Sequence, residues 1–307
     1  MLADRMLMGA AGAGAPTFVY GYTSGGFNTS VVVQNVIDRF QFASSANASD
    51  VGNLTVARYN PSGQSSATYG YSSGGNTGSA SDVIDKFAFS SSADATDVGN
   101  LTAVLYGTAG QYSATYGYAS GGYTFGYSLV INKFSFSSDG NASDVGDLTV
   151  GRRFGAGHSS ADYGYTSGGQ IGISPANTNV IDKFTFASDN NATDVGDLLS
   201  ATQPYVGQQS DDHGYTCGGF VSSRINVIQR FSFSSDGNST DVGDLLAAYA
   251  AGAGQSSDTH GYYSGGTTDA ATTGVNVIQR FLFASSADAA DVGDLTVARY
   301  SVTGQQG

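Results

Sequence analysis

This sequence has few side chains with the chemistry for catalysis or metal binding. Three of them occupy fixed positions of a repeat that runs through the chain. His213 and His260 stand where four other copies of a repeat carry Tyr, and Cys217 stands where the other five carry Ser. A catalytic or metal-binding pair would require the two histidines to converge from adjacent repeats. We expect instead that all three are structural, with Cys217 a small buried residue rather than a nucleophile.

A turn rich in oxygen atoms is the candidate metal site. Residues 139–147 read Asp-Gly-Asn-Ala-Ser-Asp-Val-Gly-Asp, and residues 236–244 nearly repeat them. Such oxygens suit Ca²⁺, but the turn lacks the glycine at position six of a calcium loop and any bidentate Glu. Asp-Gly and Asn are also common in hairpin turns. We expect a structural turn and no cofactor, with calcium at Asp139, Asn141 and Asp147 as the alternative.

Charge and composition exclude several classes of protein. The 307 residues include 25 acidic residues, all of them Asp, against 12 Lys and Arg, so the net charge is −13. This acidity argues against nucleic-acid binding, which needs clustered Lys and Arg. With 44 Gly, 19 Tyr, 17 Phe and no Glu, the composition favours strands and turns over helices. No apolar run approaches the roughly 20 residues that span a bilayer, and no phosphate-binding loop or nucleophile motif occurs.

A repeat with a spacing of 47 to 50 residues covers the chain. Its first motif is Tyr/His-Gly-Tyr-x-Ser/Cys-Gly-Gly, with the double glycines at 25–26, 74–75, 121–122, 168–169, 218–219 and 265–266. Val-Ile-x-Lys/Arg-Phe-x-Phe and then Asp-Val-Gly-Asp/Asn-Leu follow in every copy. Such a period is typical of propellers, solenoids and arrays.

Each repeat reads as four short strands, a to d, separated by Ser, Gly, Asn and Asp. Six units predict an all-β fold, a six-bladed β-propeller of four-stranded antiparallel blades, in which ring closure protects the sheet edges. A β-solenoid is the alternative, although its repeats are usually much shorter. The chain is then one propeller domain, 1–307, with repeats at 7–54, 55–101, 102–148, 149–198, 199–245 and 246–295, and with 296–307 as a closing or docking strand.

Two segments match the innermost strand of the first blade. The segment around Gly14 and the segment 299–307, whose Gly304-Gln305 corresponds to Gly63-Gln64, carry the same pattern. We expect the two ends of the chain to meet, with one segment in the inner position and the other against the ring or a neighbouring molecule.

Half of the basic residues occupy one position of the repeat: Arg39, Lys86, Lys133, Lys183, Arg230 and Arg280. A partly buried charge needs a partner. We expect each to pair with an Asp of its own or a neighbouring blade, the Asp of Asp-Val-Gly being the first choice. The alternative is a basic ring that lines the channel and binds an anion.

The double glycine after an aromatic-rich strand, the following Val-Ile-x-x-Phe and a further strand that ends near Arg resemble the kelch repeat, over essentially the whole chain. Two features depart from it: Phe replaces the usual Tyr of strand c, and the Trp of strand d is absent. The Gly-, Ser- and Asn-rich style is similar to kelch-like repeats in structural proteins of tailed, particularly marine, bacteriophages. The resemblance implies a virion or extracellular protein, with other virion proteins or a host-surface glycan as partners.

The kelch resemblance leaves two other functions open. Some kelch-like propellers are copper oxidases, galactose oxidase being the known example, and that chemistry needs a Tyr–Cys pair with two His and another Tyr on one face. The sequence contains these residue types without a spacing that assembles them. A galactose-oxidase-like or hydrolytic enzyme is therefore the first alternative, and an intracellular kelch scaffold is the second.

The b–c and d–a loops lie on one end of the predicted ring and differ most among the repeats. Function concentrates in loops on a rigid scaffold, so we expect this end to bind a partner. The candidate binding residues are Phe27, Tyr123, Phe125, Tyr127, Arg152, Arg153, Phe154, Tyr205, Phe220 and Arg224. Strand alternation predicts that Tyr123, Phe125 and Tyr127 share one side, either as an exposed patch or as a plug between blades.

The most consistent prediction is a non-enzymatic binding or structural module, such as a tail, fibre or decoration protein of a virion. Its tyrosines and phenylalanines offer stacking area, and its Asn, Thr and Ser side chains offer hydrogen bonds for carbohydrate or protein. We expect no nucleic-acid binding and no membrane insertion, and homo-oligomerisation stays open.

Overall fold

The computed structural model describes residues 18–173, 176–268 and 274–307. In these ranges the chain forms 25 strands and no helix, and the strands build six antiparallel sheets around one axis. The fold is therefore the all-β, six-bladed β-propeller of four-stranded blades that the repeat predicts.

Each blade contains strands a to d from the axis outward, and the blades are numbered 1 to 6 along the chain. In that order, strand a is β25 (Thr303–Gln306), β5 (Ser62–Ser65), β9 (Ala109–Tyr112), β13 (Ala156–Ser159), β17 (Gly207–Gln209) and β21 (Ala253–Ser256). Strand b is β1 (Tyr20–Ser24), β6 (Tyr69–Ser73), β10 (Tyr116–Ser120), β14 (Tyr163–Ser167), β18 (His213–Phe220) and β22 (His260–Ser264). Strand c is β3 (Val36–Gln41), β7 (Val83–Ala88), β11 (Val130–Ser135), β15 (Val180–Thr185), β19 (Arg224–Ser232) and β23 (Val275–Leu282). Strand d is β4 (Ser49–Asn53), β8 (Thr96–Asn100), β12 (Ser143–Asp147), β16 (Thr193–Asp197), β20 (Thr240–Tyr249) and β24 (Ala290–Tyr300).

The last strand of the chain closes the ring. β25 pairs antiparallel with β1, with Gly304 opposite Thr23, so the C-terminal segment fills the innermost position of blade 1. A short strand, β2 (Phe27–Asn28), pairs with the end of β24 and joins blade 1 to blade 6 a second time. The competing segment around Gly14 lies outside the described residues.

A ring of glycines brings the six inner strands close together. A methyl group added to any one of them would overlap the backbone carbonyl oxygen of the glycine in the preceding blade; the six are Gly63, Gly110, Gly157, Gly207, Gly254 and Gly304. Only Gly fits such a close backbone approach. This packing explains the glycine that stands 11 residues before the double glycine in repeats 2 to 6, and Gly304 takes the same position in blade 1.

Side chains close the channel beyond the glycine ring, at the a–b end. Tyr112, Gln209 and Gln306 come from alternate blades, and the amides of both glutamines donate to the hydroxyl of Tyr112. The three intervening blades place Ser at the same position, and Ser159 Oγ accepts the backbone N–H of Tyr112 at 2.9 Å. Side chains therefore fill the channel along the axis, and a large residue (Tyr or Gln) alternates with Ser around the six blades.

Aromatic pairs hold neighbouring blades together. The strand-b Tyr of each blade stacks on the second Phe of Phe-x-Phe in the next blade, with centroids 4.5 to 4.9 Å apart: Tyr22–Phe89, Tyr71–Phe136, Tyr118–Phe186, Tyr165–Phe233, Tyr215–Phe283 and Tyr262–Phe42. The first Phe of the motif covers the strand-b Gly of its own blade, as Phe40 covers Gly21. Burying such rings stabilises each interface by about 0.5–1.5 kcal/mol beyond the area removed from water.

Candidate ligand-binding face

The loop face is the end of the propeller formed by the b–c and d–a loops. Around the channel mouth on this face, six equivalent d–a residues have left-handed backbone with φ between 51° and 68°: Asn60, Gly107, Phe154, Tyr205, Ala251 and Ser301. Only one is Gly, although this conformation costs other residues roughly 1–2 kcal/mol each. Backbone hydrogen bonds between blades offset the strain; Asn60 N donates to Ser301 O at 2.8 Å and Gly107 N to Asn60 O at 2.9 Å. The main chain is thus held in place while the side chains differ.

A cavity of about 190 Å³ opens on the loop face between blades 5, 6 and 1. Its walls are formed by Tyr205, Phe220, Arg224, Ala250, Ala251, Thr267, Tyr300 and Ser301. The cavity brings together three of the residues expected at the site, namely Tyr205, Phe220 and Arg224. Sequence reasoning missed Thr267 and Tyr300, although Tyr300 occupies the same repeat position as Arg153.

Arg224 and Tyr205 provide the polar groups of this cavity. Arg224 Nε donates to Thr267 Oγ1 at 2.9 Å, and no carboxylate of the described residues forms an ion pair with it. The hydroxyl of Tyr205 donates to Gln203 Oε1 at 3.0 Å. Burial raises the pKa of Tyr205 to about 12, with Arg153 and Arg224 acting in the opposite direction. Tyr205 is therefore a neutral hydrogen-bonding group, and Arg224 is the cation of the cavity.

Arg153 lies in a cage of aromatic rings next to the channel mouth. Its guanidinium carbon is 4.7 Å from the ring centroid of Tyr123 and 5.4 Å and 5.9 Å from those of Tyr106 and Tyr127. Nε donates to Gln170 Oε1 at 2.8 Å, and one terminal nitrogen donates to the Tyr106 hydroxyl. The rings and these hydrogen bonds hold the cation, so Arg153 organises the b–c loop of blade 3.

The three aromatics of that loop do not share one side. Tyr123 and Tyr127 pack edge to face at 5.0 Å around Arg153, and the Tyr127 hydroxyl donates to the carbonyl of Gly172 in blade 4. Phe125, at the tip of the loop, is 98% exposed. The loop therefore combines a packed pair between blades with a single solvent-facing ring.

Arg152 and Arg153 have different environments although they are adjacent in the chain. Arg152 is fully buried, and its terminal nitrogen donates to Asp182 Oδ2 in the next blade at 2.7 Å. The expectation that Arg152 contributes to the binding surface does not match this position, because strand alternation turns it into the interface between blades. The signal for this role is in the repeat: Arg58 and Arg299 occupy the same position, and each also faces an Asp of Val-Ile-Asp.

Phe27 and Phe154 lie on opposite sides of the channel mouth. Phe27 packs 4.1 Å from Tyr59 and 5.4 Å from Tyr300, measured between ring centroids. Phe154 stacks on Tyr205 at 4.8 Å. Both rings are partly buried, so they border the face as packed aromatic walls.

The three lysines of strand c reach across to the next blade at the c–d end, whereas Arg39, Arg230 and Arg280 form no ion pair with a carboxylate of the described residues. Lys133 Nζ contacts Asp189 Oδ1 at 2.8 Å and Lys183 Nζ contacts Asp236 Oδ1 at 2.9 Å, with Lys86 and Asp139 forming the same pair. Their partners are the carboxylates of the c–d turns and not those of Asp-Val-Gly, which was our first choice. The Asp-Val-Gly carboxylates instead accept backbone N–H bonds two residues on, as Asp50 does from Gly52 at 3.0 Å.

His213, His260 and Cys217 lie in strand b, at the positions that the repeat predicts, and His158 lies in strand a. His158 is completely buried, with Nε2 2.9 Å from Ser167 Oγ and Nδ1 3.1 Å from the carbonyl of Gln208, and burial lowers its pKa to about 4. Burial also lowers the pKa of His213 and of His260, each reinforced by an Arg of its own blade. The buried Cys217 thiol donates to Gln208 Oε1 at 3.1 Å.

The oxygen-rich turn makes contacts with protein groups. Asp139 pairs with Lys86, and Asn141 Oδ1 accepts the backbone N–H of Asn100 in the preceding blade at 3.1 Å. In the described ranges, no group of three or more His, Cys or Asp side chains is arranged to hold a metal ion.

Charge is distributed unevenly between the two ends of the propeller. Most of the 25 aspartates lie in the a–b turns, the c–d turns and the first residues of strand d. Within the described part of the b–c and d–a loops, Asp82 is the one acidic residue. The loop face is thus the less acidic end of a strongly acidic protein.

The part of the chain that the structure describes contains no helix long and apolar enough to cross a membrane.

Comparison with known proteins supplies no relative: no protein-family model matches the chain, and a search of curated proteins gives no significant match.

Proposed function

We propose that this protein is a non-enzymatic binding module whose loop face contacts a carbohydrate or a neighbouring protein. The observation that carries the proposal is the cavity between blades 5, 6 and 1, whose lining of aromatic, hydroxyl and guanidinium groups lies on the variable face. Concave sites with an apolar lining and a few convergent polar groups are typical ligand sites. The left-handed main chain around the mouth supports the same choice, because strain of this kind concentrates at ligand-binding positions.

The proposal includes a role in a virion, as a tail, fibre or decoration protein. Support for that role comes from the resemblance of the repeats to kelch-like structural proteins of tailed bacteriophages. The acidic opposite end would keep such a module soluble while the loop face engages its partner. Mass spectrometry of purified phage particles that encode the protein tests this part directly, and its absence from the particles would contradict it.

A glycan array with the purified protein tests the binding function. Phe220→Ala and Tyr300→Ala remove cavity walls, so we expect each to abolish or strongly reduce the signals of the bound glycans. Leu282→Ala is the matched control, since it removes a partly exposed apolar side chain at the c–d end of strand c. Equal signals for all three variants would rule out the cavity as the binding site.

A further inference from the structure

We propose that the cavity between blades 5, 6 and 1 binds an acidic saccharide, with Arg224 pairing with the carboxylate of the sugar. The inference rests on the proposed function, because it assigns a ligand class to the same face. Arg224, Phe220, Tyr300 and Tyr205 carry the argument.

Arg224 is the group that selects a carboxylate. Its Nε is occupied by Thr267 Oγ1, which orients the guanidinium, and its terminal nitrogens form no hydrogen bond with a described residue. A planar guanidinium can bind a carboxylate with two parallel N–H···O bonds. The buried arginines Arg58, Arg152 and Arg299 pair with Asp side chains, whereas Arg224 forms no ion pair with a carboxylate of the described residues.

Aromatic rings favour a sugar as the carrier of that carboxylate. Phe220, Tyr300 and Tyr205 line the cavity beside Arg224, and the C–H groups of a pyranose pack well against aromatic rings. The volume of about 190 Å³ is below the roughly 300 Å³ at which pockets for drug-sized ligands begin. It suits one sugar ring, whereas a protein partner would need a broad surface and not a cavity.

The loop face is the end of the propeller at which an acidic ligand meets the least repulsion. The aspartates crowd the opposite end of the propeller, and the described loops of this face contain Asp82 alone. A cationic ligand would be drawn to that opposite end, whereas an anion approaching the loop face meets the smallest repulsion. Arg153 does not compete for the anion, because its aromatic cage, Gln170 and Tyr106 hold its guanidinium.

The test is an array that pairs uronate- and sialate-containing glycans with the same glycans after carboxyl reduction, followed by titration calorimetry of the best binder. We expect the wild-type protein to bind acidic members in preference to their reduced counterparts. Arg224→Gln should weaken binding of the acidic glycan by about 10-fold or more, because a charge-assisted bidentate contact is lost. The loss for a carboxyl-reduced glycan should be clearly smaller, because that glycan offers the guanidinium no charged partner.

Arg230→Gln is the matched control, since it removes the same charge from the same strand at the c–d end. Circular dichroism establishes that both variants are folded. Equal binding of acidic and reduced glycans, equal affinity of Arg224→Gln and wild type, or no acidic glycan bound would each overturn the inference. If neutral glycans still bind and Phe220→Ala abolishes that binding, the proposed function stands without the acidic preference; if no glycan binds through the cavity, the carbohydrate function fails as well.

Discussion

Arg58, at the end of blade 1, donates to Asp85 in blade 2 at 2.9 Å, and both side chains are completely buried. Asp85 also accepts the hydroxyl and the backbone N–H of Thr55, at 2.6 and 3.0 Å. Two other interfaces repeat the ion pair, Arg152–Asp182 and Arg299–Asp38. In the other three interfaces the residues at these two positions are neutral. They are Leu105 with Asn132, Thr202 with Gln229, and Tyr249 with Gln279. The two positions therefore vary together, and in the described residues a charge at one of them always faces the opposite charge at the other.

Removing one partner of this pair tests the coupling. Asp85→Asn leaves the buried Arg58 guanidinium without a counter-charge, so we expect a loss of about 3–5 kcal/mol in the free energy of unfolding. The double variant Arg58→Leu with Asp85→Asn copies Leu105 and Asn132 and should recover most of that loss. Denaturant unfolding measures both changes, and a single variant as stable as wild type would contradict the pairing.

The exposed pair Lys86–Asp139 should contribute far less. Asp139 is 60% exposed, so Asp139→Ser should lower stability by no more than about 1 kcal/mol, and the difference should shrink in high salt. Where strand c carries Arg instead of Lys, the c–d turn of the next blade carries Ser at the position of Asp139. Ser286 is the residue in this position for Arg230. Lys86→Arg combined with Asp139→Ser reproduces that arrangement and should be close to wild type. A loss above 2 kcal/mol for Asp139→Ser would show that the pair is effectively buried.

His158 should make stability depend on pH. Its pKa is about 4 in the folded protein against 6.5 in the unfolded chain, so the unfolded state binds more protons between these values. The contribution of His158 is therefore constant above about pH 6.5 and is lost as the pH falls, by about 3 kcal/mol in all near pH 4. His158→Gln copies Gln111, whose Nε2 donates to the Tyr165 carbonyl of the next blade at 3.0 Å. The stability difference between wild type and variant, followed from pH 7.5 to 4, should change by this amount; a constant difference would be the contrary result.

The glycine ring should not tolerate a methyl group. In Gly110→Ala the new Cβ would overlap the carbonyl oxygen of Gly63, and the closed ring prevents either strand from moving away. We expect a loss of about 1–3 kcal/mol or more. Gly126→Ala is the control in the same blade, since an added Cβ there has no neighbour within 4 Å. Thermal unfolding should separate the two variants clearly, and equal melting temperatures would refute the packing argument.

Deletion of residues 303–307 should open the ring. It exposes the edge of β1 and removes the bond from Gln305 Nε2 to the Tyr71 carbonyl at 2.9 Å. Unpaired edges promote association between chains, so we expect a lower melting temperature and oligomers in size-exclusion chromatography with light scattering. Gln305→Ala keeps the strand and should keep the oligomeric state of the wild type, with a smaller thermal shift. A truncated protein with the oligomeric state and melting temperature of the wild type would show that β25 does not determine closure.

Parts of the candidate site could be read from the repeat and parts could not. The loop face follows from strand order, because the b–c and d–a loops of antiparallel blades must lie on one end. Arg152 was misplaced because composition marked the Arg pair as unusual, whereas its repeat position, shared with Arg58 and Arg299, marks it as an interface residue. The alternation of a strand predicts that Phe125 and Tyr123 share one side. That prediction is wrong because a loop tip does not continue the alternation of the strands it joins.

The sequence by itself determined the six-bladed propeller, since a hydrophobic and glycine pattern repeated every 47 to 50 residues allows each unit to bury its faces only against the next. It also determined that His213, His260 and Cys217 lie in strand b, because they replace residues at fixed repeat positions. Only the tertiary structure decided that Tyr205, Arg224 and Tyr300 surround one cavity. These residues belong to different blades and are brought together by ring closure, and no local pattern encodes a contact whose geometry depends on the curvature of the whole ring.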